Sequence, residues 1–412
     1  RLASIAAAIQ LALAGCGPSS PEEFVAKAQA EFDKGNLQAA SVDVTNALSS
    51  KPNMVEARWL MAQIALKSGD AARAEKDIRV AIQYGLPRAT AQLTLVRAIL
   101  LQGAIDRALA ETSIPPNDMA PGERAMLLGL RGQALILNGN AEPARPVLAR
   151  ALEIDPKAIT ALVGMAILHL EKREYDQVRP WIDRALAVDP ASAEAWGALG
   201  ELELSTAKPE QAEIAYSNAL KYRSHPSLDR ARRALARVDL KKFAEAQADI
   251  DVLRQSGFKS TPYVNYVQGI ILFHQAKFQE AANAFEASYA ADPSFLANRM
   301  YLATTRFRLG QTEQALEHAK NLHARLPRSS GVRELLGSIQ IGRSEYASAR
   351  QMLESALQNA PSDPTTLRML ATLSMLEGDK EKGVEYARKI AALDPDSPDA
   401  QQMLMVAKLV AG

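Results

Sequence analysis

AEAWGALGELELSTAKPEQAEIAYSNALKY, residues 193–222, is the stretch that decides the fold. A large residue, Trp196, is followed by Leu199 and Gly200, and then by Ala212, Tyr216 and Ala219. The spacing puts the first set on one helix and the second set, small–aromatic–small, on another. Small residues let two helices approach closely, and the large ones fill the gap between them. The same set recurs as Gly132, Ala144, Leu148, Ala151, as Gly269, Ala281, Phe285, and as Gly337, Ala349, Leu353, Ala356. Proline keeps the beat. Pro293, Pro327, Pro361 and Pro395 follow one another at intervals of 34 residues, as do Pro156 and Pro190. Proline lacks an N–H and pushes the residue before it out of the helical region. Asp155-Pro156, Asp189-Pro190, Asp292-Pro293 and Asp394-Pro395 therefore read as stops between one helix pair and the next.

A period of this length marks a stack of helix–turn–helix units, and the pattern resembles the tetratricopeptide repeat. That resemblance implies an all-α, right-handed superhelical solenoid of about eleven helix pairs. Working outward, Ser20-Pro21-Glu22-Glu23 has the form of a helix start, with Ser20 as cap. Ala28, Gly35, Ala40, Val44, Ala47, Pro52 and then Ala62, Gly69, Ala74, Ile78, Ala81, Pro87 make two regular repeats. Gly35 and Gly69 sit in the tight turn within each pair, and Gly103, Gly139, Gly310 and Gly378 return at that place. Residues 89–120 are irregular; Pro115, Pro116 and Pro121 break the rhythm there, which reads as a shortened repeat and a joint. Residues 225–262 are looser as well. The expected organisation is a signal peptide over 1–15, an acylated cysteine and tether over 16–21, a first repeat segment over 22–120, the main array over 121–397, and a terminal helix or the start of a further repeat over 398–412. That last helix carries Met403, Leu404, Met405, Val406, Leu409 and Val410, apolar on more than one face.

The 412 residues suit a chain that grows by adding units. Lys and Arg number 48 against 47 Asp and Glu, so the basic excess a general nucleic-acid binder needs is missing. A single cysteine, Cys16, excludes a disulfide framework. Residues 1–15, RLASIAAAIQLALAG, are uncharged after Arg1 and too short to span a bilayer, as in the apolar part of a secretory signal. They run into Leu13-Ala14-Gly15-Cys16, which resembles a bacterial lipobox. The resemblance implies cleavage before Cys16 and acylation of its thiol, with Gly17 favouring the outer membrane and the chain facing the periplasm. The alternative is an N-terminal helix with an unrelated cysteine.

Residues 13–110, including SPEEFVAKAQAEFDKGNLQAASVDVTNAL, KPNMVEARWLMAQIALKSGDAARAEKDIRVAI and LVRAILLQG, resemble the repeat lipoproteins found with exosortase (PEP-CTERM) and exopolysaccharide export systems. The role implied is a non-enzymatic periplasmic scaffold in export or biofilm matrix assembly. Its partners would be envelope proteins, held as a peptide or helix in the repeat groove, with a polysaccharide as a further candidate and the membrane reached by the lipid anchor. Two alternatives stay open: an adaptor for another envelope machine, such as a pilus pilotin or a cell-wall synthase activator, and the scaffold part of a longer porin or enzyme chain. No phosphate-binding loop or nucleophile motif stands out, so neither catalysis nor a cofactor is expected. His318 and His323 are five residues apart and do not share a helix face as metal ligands would, so no metal is expected.

In such repeats the first helix of each pair lines the concave side. The inward positions then hold Tyr263, Tyr266, Ile270 and Phe273, followed by Met300, Thr304, Phe307 and Arg308. The first four form one helical stripe. They suit a peptide, a partner helix or stacked sugar rings, or else packing between repeats. The basic run Arg230, Arg232, Arg233, Arg237, Lys241, Lys242 suits an anionic glycan or lipid, or a solvated face, since Asp229 and Asp239 are interleaved.

Overall fold

The computed structural model describes residues 20–223, 227–256 and 261–411. Among these the chain is all helix, in eleven pairs followed by one further helix, from Pro21–Asp33 and Leu37–Ser50 to Lys380–Leu393 and Pro398–Ala411. The start is capped as the sequence implies. The Ser20 hydroxyl accepts from the Glu23 N–H at 3.2 Å, and the Glu23 carboxylate accepts from the Ser20 N–H at the same distance. The chain divides into two compact units, residues 1–236 and 237–412.

Within a pair, one small residue on the first helix faces a buried residue sixteen positions later on the second. In the first unit Ala28, Ala62, Gly132, Ala166 and Gly200 hold the small place, and Val44, Ile78, Leu148, Ile182 and Tyr216 are buried sixteen residues on. In the second unit Gly269, Ala303, Gly337 and Ala371 stand in the same relation to Phe285, Ala319, Leu353 and Ala387. The largest partners take glycine. A methyl group on Gly200 would lie 2.6 Å from Cε1 of Tyr216, and one on Gly269 would lie 2.5 Å from Cε1 of Phe285. At these glycines a missing side chain makes room for a large partner, which is how helices pack at close range without voids.

The turn inside each pair needs a left-handed residue. Glycine supplies it at Gly35 and Gly310, with φ of 82° and 73°. In five repeats Arg173, Ala207, Lys241, Ala276 and Ser344 take it instead, with φ between 56° and 61°. Each carries a local steric cost of about 1–2 kcal/mol that the packed helices on either side must outweigh.

The stop between pairs is also secured. The carbonyl of the boundary proline accepts a side-chain N–H from six residues on: Arg58 Nε to Pro52 at 2.7 Å, Trp196 Nε1 to Pro190 at 2.9 Å, Arg299 Nη2 to Pro293 at 3.0 Å, and Gln401 Nε2 to Pro395 at 3.0 Å. Three chemically different side chains do one job, satisfying a carbonyl that no helix reaches.

The irregular segment expected to act as a joint lies inside the first unit. The second helix of its repeat is only Ile105–Glu111, seven residues. Charges tie it down. Glu75 accepts from Arg107, Gln102 and Arg79, and Glu111 from Arg79 and Arg88 at 2.9 and 2.6 Å. Burial pushes the Glu75 carboxyl up, but the hydrogen bonds from Gln102, Arg79 and Arg107 outweigh it and hold it below its ordinary value. Met119 buries its side chain beside Leu127 and Leu130, so residues 112–120 are bound down at both ends.

Candidate functional site

In the second unit the stripe Tyr263, Tyr266 and Phe273 forms part of a continuous ring cluster with Phe285, Phe295 and Tyr301. Tyr266 meets Phe295 edge-on at 4.8 Å, Tyr301 at 5.8 Å and Phe285 at 6.2 Å; Phe273 meets Tyr301 at 5.8 Å, and Tyr263 stacks on Phe295 at 6.3 Å. These separations are those of aromatic packing. Burial pushes the Tyr266 phenol above its ordinary value, with Tyr301 and Tyr263 adding to it. Ile270 is 4% exposed and lies in the core. Met300 and Phe307 pack against the buried cluster around Ala303, Leu322 and Ile339. Thr304 turns its hydroxyl to the Met300 carbonyl at 2.9 Å. Arg308, the last residue of its helix, is exposed. The eight positions thus separate into ring packing, core and one free-standing charge. One polar edge remains. Burial raises the Asp239 carboxyl, with His274 acting against it, and burial raises the Tyr301 phenol, with Asp239 adding to it.

The open groove lies in the first unit. A concavity of about 680 Å³ is walled by Leu66, Leu100, Leu101, Leu137, Val163 and Tyr222, with Lys67, Arg97, Gln133, Arg223, Asp189 and Glu194 supplying the polar groups. Three of its large apolar side chains face solvent: Leu101 is 45% exposed, Leu137 64% and Tyr222 41%. Exposed apolar side chains converging on one concave surface are the informative exception to burial. Hydrogen bonds tie together two of the helices that line it. Gln133 Nε2 donates to the Thr160 carbonyl at 2.7 Å, and the Thr160 hydroxyl donates to the Met126 carbonyl at 2.7 Å, so the groove floor is clamped across two repeats.

The inward positions of the first helices continue along the first unit. The same frame reaches this groove. Counting from the small residue of each first helix, or from Val96 at the equivalent place, Ala62 leads to Leu66 and Lys67, Val96 to Arg97, Leu100 and Leu101, and Gly132 to Gln133 and Leu137. The signal was present, carried by leucine rather than by rings.

The basic run is largely engaged. Arg232 pairs with Glu201 and Asp229, Arg233 donates to the Ser217 hydroxyl at 3.1 Å, and Arg237 pairs with the buried Asp249 at 2.8 Å. Leu13, Ala14, Gly15 and Cys16, the proposed cleavage and lipidation residues, lie outside the described residues. Among the described residues no group of histidine, cysteine and carboxylate side chains could hold a metal ion, and no helix is long and apolar enough to cross a membrane.

Comparison with known proteins adds the family. One model of the tetratricopeptide repeat matches residues 25–84, 231–295, 300–364 and 335–398, together more than half of the chain. A second model of the same repeat matches residues 135–202. The mouse BBSome complex member BBS4 is 28% identical over 138 residues, 33% of this chain and 26% of that protein. The match therefore spans about a quarter of this curated relative's length. Among solved structures, a human IFIT1 dimer with m7Gppp-AAAA aligns with a TM-score of 0.51 at 16% identity, over 83% of this chain and 91% of that one. At that identity it speaks for the fold alone. A chain of the APC/C Cut9–Hcn1 hetero-tetramer aligns at 0.48 and 14% identity, over 94% and 96%.

Proposed function

This chain belongs to the tetratricopeptide repeat family, and from that premise we propose that it is an interaction scaffold whose first unit holds a segment of another protein in the groove of Leu101, Leu137 and Tyr222. The observation that carries the reading is the exposure of these three side chains on one concave wall. Burying them against a partner recovers the apolar contact that solvent denies them. The hydrogen bonds of Gln133 and Thr160 fix the helix of Leu137 against its neighbour beforehand, which lowers the ordering needed there on binding.

The test is Leu137→Asp in the full chain. Aspartate at a central apolar contact should weaken partner capture tenfold or more, at about 2 kcal/mol for an anchoring residue. The melting temperature should hold, because exposed substitutions stay within about 0.5 kcal/mol. Ile214→Asp, on a residue 63% exposed and outside the groove lining, is the control and should leave capture unchanged. Equal capture by both variants would reject the groove.

The finer setting we propose is the bacterial envelope: a lipoprotein anchored through Cys16, in the periplasm, serving exopolysaccharide export. Leu13-Ala14-Gly15-Cys16 supports the anchor, and the resemblance over residues 13–110 supports the setting. Two acyl chains are what make such an anchor stable. Cys16→Ser is expected to abolish incorporation of a clickable palmitate analogue in cells; labelling equal to wild type would end the lipoprotein reading.

A further inference from the structure

Building on the groove reading, we infer the chemistry of the segment that the first unit accepts: an acidic side chain flanked by large apolar ones. The inference starts from Arg97. Other arginines of this unit reach a carboxylate, as Arg58 does to Asp77 at 2.5 Å, Arg88 to Glu111 at 2.6 Å and Arg223 to Asp229 at 2.6 Å. Arg97 is exposed in the groove wall, and among the described residues it has no hydrogen-bond, ion-pair or ring partner. It stands one turn before Leu101 on the same helix, so the two share a face. Leu137 holds the place of Leu101 on the next repeat.

The other charges around the groove do not neutralise Arg97. Lys67 adds a second cation, its Nζ 4.0 Å from the Phe32 ring centroid. Arg223 is already paired with Asp229. Asp189 turns one oxygen to the Ala191 N–H at 2.9 Å, and Glu194 lies on the first turn of Ala193–Ser205. Arg97 and Lys67 thus line the groove from the helices Arg88–Leu101 and Val55–Lys67, while the acids belong to the wall formed by residues 189–194. An unpaired guanidinium beside apolar surface favours a carboxylate, which it binds through two parallel N–H donors. An acidic group placed one turn from leucine-like side chains meets Arg97 while its neighbours cover Leu101 and Leu137.

Panning a displayed library of random peptides against the full chain tests this. Peptides recovered by the wild type should show Asp or Glu at one position beside Leu, Ile or Phe, enriched about tenfold, as expected for a charge-assisted contact. Arg97→Glu should replace the acid by Lys or Arg at the same position, and Leu137→Asp should lose both pools. Both sites are exposed, so the variants should melt with the wild type. An acidic preference that survives Arg97→Glu overturns the inference. A wild-type pool without acid preference that still depends on Leu137 overturns the chemistry but leaves the groove. Pools indifferent to Leu137, or no enrichment at all, count against the groove itself.

Discussion

Phe285→Ala is expected to lower the stability of the second unit by about 3–5 kcal/mol, the range for deleting a fully buried phenylalanine. Phe285 is wholly buried and lies over Gly269, stacks with Tyr301 at 5.5 Å and touches Tyr266 at 6.2 Å. The cavity left behind cannot close from below, because Gly269 has no side chain to move into it. It cannot close from the side without breaking the ring contacts that hold Tyr266 and Tyr301. Urea unfolding followed by circular dichroism reads the loss. A change under about 1 kcal/mol would show that the ring is not the keystone of its repeat.

Gly269→Ala tests the same contact from the opposite side. The new methyl would sit 2.5–2.8 Å from three ring atoms of Phe285, closer than any real contact. A ring edge cannot swing aside in a packed interior, so the helices must part, at about 3 kcal/mol. Alanine's better helix propensity offsets about 1 kcal/mol of this. The net loss of about 2 kcal/mol should fall sharply in the double variant Gly269→Ala, Phe285→Leu, since touching residues do not behave additively. Gly383→Ala is the contrast. Its methyl would meet the end of Met375, at 2.4 Å from Cε, and a thioether tip can rotate away. Equal losses at Gly269 and Gly383 would contradict the ring-edge account.

The fold was legible because one pattern recurs at intervals of about 34 residues: a stop, a small residue on the first helix, and a buried apolar residue on the second. Ser20 with Glu23 was legible for a similar reason, since a cap is a local arrangement of neighbours in sequence. What escaped the sequence depends on groups that meet only in space. Arg58, Trp196, Arg299 and Gln401 look unrelated until each is seen donating to a proline carbonyl. Ala207 and Ala276 give no hint of a left-handed turn, because glycine, the usual sign, is absent. Tyr263, Tyr266 and Phe273 drew attention as an aromatic stripe, yet Phe295 and Tyr301, from elsewhere in the sequence, satisfy much of their surface. The groove of the first unit is built from leucines, which a leucine-rich chain offers at many positions, so only their shared exposure on one concave wall marks them.

The short helix Ile105–Glu111 has a consequence for how the protein responds to its medium. Where neighbouring repeats meet through alanine and leucine, added salt hardly matters. Here part of the fastening is ionic, and Arg79, Arg88 and Arg107 are about half exposed while Glu75 and Glu111 are largely covered. Mobile ions reach the guanidinium side and screen it, over a distance of roughly 8 Å at physiological strength and about 3 Å at 1 M. Dilute buffer therefore tightens this link and brine slackens it, while the apolar contacts of Ala108 and Ile99 persist. At this rung the electrolyte around the chain sets part of the grip, because a seven-residue helix offers little apolar surface to replace it.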